Sequence, residues 1–68
     1  MIFYVTAIIQ QEGDWYVAKC LENDVASQGK TIDGAMNNLK EALELYYEDS
    51  DDVPMVRKTF VTTLEIAI

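Results

Sequence analysis

The chain has 68 residues, half of them apolar, with twelve acids against five bases and no histidine, for a formal net charge of −7. That length holds one domain, 1–68, and domains this small stay folded with help from disulfides, metals or self-association, because ordering costs about 1.5 kcal/mol per residue. A single cysteine, Cys20, closes no internal disulfide, and with no histidine a structural zinc is not expected. Self-association, as a homodimer or a higher oligomer, is the remedy left.

The acidic balance disfavours direct nucleic-acid binding, since duplex readers carry basic surfaces. It suits an encounter with a basic protein, and it also keeps a chain soluble. No stretch approaches the roughly 20 apolar residues that cross a bilayer. The start, Met1-Ile2-Phe3-Tyr4, lacks the basic region of a signal peptide. A cytoplasmic location and no membrane partner are therefore the expectations.

Ile2 to Gln11 reads as a strand, with Phe3, Val5, Ala7 and Ile9 on one side and Ile2, Tyr4, Thr6 and Ile8 on the other. Both sides are apolar enough to predict a central strand covered on both faces. Glu12-Gly13-Asp14 is a turn in which Gly13 can take positive φ. Trp15 to Cys20 is a second strand forming a hairpin with the first. After a polar connection, Leu21-Glu22-Asn23-Asp24, a short third strand runs from Val25 to Gln28 and ends at Gly29.

The remainder is organised around a helix from Ile32 to Glu48, about 26 Å long at about 1.5 Å per residue. Thr31 is its expected N-cap. Ala35, Leu39, Ala42, Leu43 and Tyr46 recur at spacings of three and four and mark the core face, widened by Ile32, Met36 and Tyr47. The acids Glu48, Asp49, Asp51 and Asp52 oppose the helix dipole and favour fraying there. Beyond Pro54, Thr59 to Ile68 alternates as a last strand, with Phe60, Leu64, Ile66 and Ile68 on its apolar side. The order β-β-β-α-β gives an α+β fold with one helix on one face of the sheet. The last strand is expected to return parallel to an earlier one by a right-handed crossover. The uncovered face is expected to pair with a second copy.

Catalytic chemistry is hard to find. A two-metal nuclease needs converging carboxylates, but the first strand, Ile2 to Gln11, contains no acid and the last offers only Glu65. The acids at 48–52 lack the glycine and terminal glutamate of a calcium loop. Ser27 has no histidine to serve as its base. Cys20 has only Lys19 nearby to lower its pKa and reads as a packed thiol. Gly29-Lys30-Thr31 lacks the earlier glycine of a phosphate-binding loop, because position 24 is Asp24. No catalytic residue, metal or cofactor is expected.

Trp15-Tyr16-Val17-Ala18-Lys19-Cys20, then Val25-Ala26-Ser27-Gln28-Gly29-Lys30-Thr31, Ala35, Asn38-Leu39 and Glu41-Ala42-Leu43-Glu44-Leu45-Tyr46 together resemble the HicB-like antitoxin family over residues 15–48. The resemblance implies a partial RNase H-like sheet, dimerisation, and a non-catalytic role: covering the active site of a HicA-like toxin, a small, basic, RNA-cleaving protein. Leu21 stands where relatives commonly have proline, which predicts a freer turn. Gly34 stands where the family usually has glutamate, removing half of a capping box. The single domain carries none of the C-terminal DNA readers found in many such antitoxins, so operator binding is not expected. Position and chemistry then suggest Trp15, Tyr16, Glu22, Asp24, Glu48, Asp49, Asp51 and Asp52 as toxin contacts. Gly29, Thr31, Ala35, Leu39, Ala42, Leu43, Tyr46, Phe60 and Leu64 are the expected structural set. The alternative is a stand-alone dimeric interaction or scaffold protein of the same fold with no toxin partner.

Overall fold

The computed structural model describes residues 2–48 and 57–68. Three strands, β1 (Ala7–Glu12), β2 (Trp15–Cys20) and β3 (Ala26–Gly29), are followed by one helix, α1 (Ile32–Glu48). The sheet is antiparallel in the order β1-β2-β3. Its register sets Ala7 opposite Cys20, Ile9 opposite Ala18, and Tyr16 opposite Gly29. Gly13, at φ 60, makes the hairpin turn in the left-handed conformation that glycine adopts without penalty.

Helix α1 begins and ends where the sequence pattern places it. The Gly34 amide donates to Thr31 Oγ1 at 2.9 Å, so Thr31 caps the first turn. The helix lies across β2 and β3 and buries a small core of Ala18, Cys20, Ala35, Leu39 and Leu43. The stripe is strictly i+4: Ala35, Leu39, Leu43, then Tyr47 against its edge. Tyr46, expected in the core, is instead 52% exposed. One residue on, Tyr47 falls in line with Leu43, meets the Phe3 ring edge-on at 5.0 Å, and accepts from Asn23 Nδ2 at 2.8 Å. Ala42, also expected in the core, is only half-buried. Asn38 ties the helix to the sheet's outer strand by donating its Nδ2 to the Gln28 carbonyl at 2.8 Å.

Two expectations about strands are corrected. The first strand begins at Ala7, not Ile2, and is an edge of the described sheet, not its centre. The physical reason is that β2 ends at Cys20, opposite Ala7, so residues 2–6 have no ladder to join. Residues 57–68 carry no strand, and Phe60 and Leu64, expected in the core, are 84% and 74% exposed. Alternation gives that segment the pattern of a strand, but among the described residues nothing pairs with it. The expected frayed helix end at Asp49, Asp51 and Asp52, and the break at Pro54, lie outside the described residues.

The connection 21–25 is not the freer turn that Leu21 suggested. The Cys20 amide donates to the Val25 carbonyl, the Leu21 amide to the Thr6 carbonyl, and the Asp24 amide to the Cys20 carbonyl, all within 2.9 Å. Asn23 Oδ1 accepts from the Val25 amide at 3.0 Å, the side-chain closure typical of asparagine turns. Asp24 sits at φ 63, a left-handed conformation that aspartate tolerates better than most residues.

Candidate functional site

Helix α1 starts at the Gly29 end of the sheet and runs back toward the β2–β3 turn, as the Asn23–Tyr47 bond requires. The acids Glu22 and Asp24 in that turn and Glu48 at the helix end therefore gather at one end of the molecule. Asp49, Asp51 and Asp52, the remaining acids of the expected contact set, fall outside the described residues. Trp15 is at the opposite end, 42% exposed, with Lys30 Nζ 5.7 Å from its ring centroid. Tyr16 turns the other way and packs against the core on the helix side. The five described members of the expected contact set thus do not form one surface: Glu22, Asp24 and Glu48 come together, while Trp15 and Tyr16 are on opposite faces of β2.

Within the acidic end the residues differ in role. Asp24 pairs with Lys19 at 3.5 Å, both largely exposed, so the pair contributes little to stability. Glu22 is structural. Its Oε1 accepts from the Thr6 amide at 2.7 Å and from the Cys20 thiol at 3.5 Å. It thereby takes the place of a strand partner just where β1's ladder with β2 stops. Partial burial raises the Glu22 carboxyl, but the Thr6 and Cys20 bonds outweigh that and hold it below the ordinary glutamate range. Burial, reinforced by the neighbouring Glu22 carboxylate, pushes the Cys20 thiol up. Cys20 is fully buried, so it is a packed thiol rather than a nucleophile.

A consequence follows for pH. A carboxyl whose folded pKa is lowered adds stability that is complete above its unfolded value and is lost as pH falls through the folded one. Glu22→Gln keeps an acceptor but removes the charge. We expect it to cost about 1 kcal/mol at neutral pH, discounted for partial exposure. It should also flatten the acid limb of a plot of Tm against pH; an unchanged acid limb would remove the role assigned to Glu22.

Sequence reasoning missed an apolar concavity beside the helix. An open groove of about 950 Å³ runs between the helix and residues 3–7, the stretch that leads into β1. Phe3, Val5 and Ala7 line one wall, and Met36, Leu39 and Leu43 line the other. Glu41, Glu44 and Glu48 also line it. Ala7 is exposed although it points to the helix side, because none of the described residues covers it. The signal was present in the apolar alternation of residues 3–9. Reading those residues as a central strand filled the space that the groove leaves open.

Among the described residues no three histidine, cysteine, aspartate or glutamate side chains gather to hold a metal, and no helix is long and apolar enough to cross a membrane. Comparison with protein-family models, with curated proteins and with solved structures finds no match.

Proposed function

We propose that the chain is a non-catalytic, antitoxin-like binding module of HicB type, with a partial RNase H-like sheet, that covers the active site of a basic, RNA-cleaving HicA-type toxin in the cytoplasm. The reading rests on the pattern of residues 15–48, which resembles that family's and whose strand, glycine turn and capped helix correspond to the elements β2, β3 and α1. The charge of −7 and the collection of Glu22, Asp24 and Glu48 at one end agree with a basic partner, because opposite potentials steer encounter and fix register.

The test is direct. Purified chain is titrated into a HicA-type toxin, with RNA cleavage and the elution volume of the mixture as readouts. The expected results are loss of cleavage, a mixed complex, and association that slows as salt is added. Undiminished cleavage with no complex sinks the antitoxin role and leaves the second reading, a dimeric scaffold of the same fold. That second reading is favoured by the open, largely apolar groove beside the helix, a surface of the kind that self-association covers.

A further inference from the structure

We infer that the groove beside β1 is filled by residues 59–68 of a second copy, exchanged reciprocally, so that the working unit is a strand-swapped dimer. The chain exposes 5990 Å², where a folded monomer of 7.7 kDa exposes roughly 4300 Å². Its radius of gyration is 13.8 Å, against about 11 Å for a compact chain of this length. The excess, roughly 1700 Å² per chain, is about twice the ~800 Å² that one partner contributes to a standard interface, an area in keeping with an exchanged segment.

The two halves of that interface are both on this chain. One half is the apolar groove walled by Phe3, Val5 and Ala7, which opens at the start of β1, an edge strand of the described sheet. The other is the segment 57–68, which keeps Phe60, Leu64, Ile66 and Ile68 each more than 70% exposed. These four share the even positions of an alternating run, so one face of a strand made from it is apolar and matches the groove floor. Strand addition to an open edge takes its affinity from main-chain bonds and its specificity from such alternate side chains. Charge sets the direction. Arg57 and Lys58 precede the segment, and Glu44 and Glu48 lie on the groove near the helix C-terminus. Entering at that end pairs the opposite charges and lays the segment parallel to β1, giving a four-stranded sheet. Because each copy supplies one groove and one strand, the exchange closes as a twofold dimer with no strand left over. It stands whichever partner meets the acidic end.

The experiment uses two full-length variants that disable one half each. Leu64→Asp charges the segment's apolar face and leaves the groove intact. Ala7→Asp charges the groove wall and leaves the segment intact. Sedimentation at tens of micromolar should give a dimer for the unaltered chain. Each variant alone should be a monomer with unchanged helical circular dichroism, its dimer weakened about a hundredfold or more. Mixed together, the variants should recover a heterodimer, since one sound segment meets one sound groove. An unaltered chain that sediments as a monomer with amides 59–68 protected from exchange would mean that the segment fills its own groove, and would overturn the proposal. So would variants that remain dimeric, or that dissociate but fail to complement, either of which places the interface elsewhere. If Ala7→Asp loses its helical signal, Val61→Asp is set against Leu64→Asp instead: it should remain a dimer, since position 61 is on the segment's other face, and its dissociation would overturn the exchange.

Discussion

Leu39→Ala is expected to unfold the domain, with a cost of about 2–5 kcal/mol. Leu39 is 2% exposed and is the more deeply buried of the two leucines in a core otherwise made of Ala18, Ala35 and Cys20. Three of those five are small, so the neighbours have little bulk with which to collapse into the void. The side chain also lines the groove, so truncation removes packing against the sheet and against anything seated there. Small domains hold only a few kcal/mol in reserve. The measurement is urea denaturation followed by circular dichroism. A folded baseline at zero denaturant and a midpoint close to that of the unaltered chain would show that the core is centred elsewhere. Leu45→Ala is the matched control: Leu45 is on the same helix but is 69% exposed, and its loss should cost little.

The contrast between Leu39 and Leu45 was legible in the sequence, as was most of the helix. A threonine cap, an apolar stripe and a polar remainder are local signals, and they placed α1 from Ile32 to Glu48 without knowledge of the sheet. The hairpin was legible for the same reason, since Gly13 sits between two alternating runs. What failed was whatever depended on a partner. Residues 2–6 and 59–68 alternate as strands do, but a strand needs a neighbour with free amides, and alternation does not say where that neighbour is. Tyr46 and Tyr47 show the same limit at finer scale. Both fit an apolar helical face, and Phe3 and Asn23, neither of them on the helix, decide that Tyr47 packs. Of the candidate contacts, Glu22 could not be separated by sequence from the other acids. Its structural bonds are to Thr6 and Cys20, of which Thr6 is sixteen residues away.

Gly29→Ala should be nearly as damaging as the loss of Leu39, and by a route that conformational preference does not predict. A glycine that ends a strand before a helix is ordinarily explained by a positive φ. Among the described glycines only Gly13 is in that region. Gly29 is needed for space: a Cβ there would be 2.5 Å from the Ala35 nitrogen and 2.7 Å from the Gly34 carbonyl carbon. Both are backbone atoms of the helix's first turn, so no rotamer change relieves the clash. Either the helix lifts off β3, which opens the core around Ala35, or the Thr31 cap is lost. Overpacking that forces the backbone to move costs about 3 kcal/mol or somewhat more. Gly13→Ala separates the two kinds of glycine. Its Cβ would meet nothing within 4 Å, so only the left-handed conformation is penalised, at about 1 kcal/mol. Thermal melts of the pair should therefore place Gly29→Ala well below Gly13→Ala, and the reverse order would mean that the helix does not approach β3 this closely. The same closeness explains why alanine, the smallest residue with a Cβ, stands at position 35: it is the helix residue that β3 presses against, and it is wholly buried there.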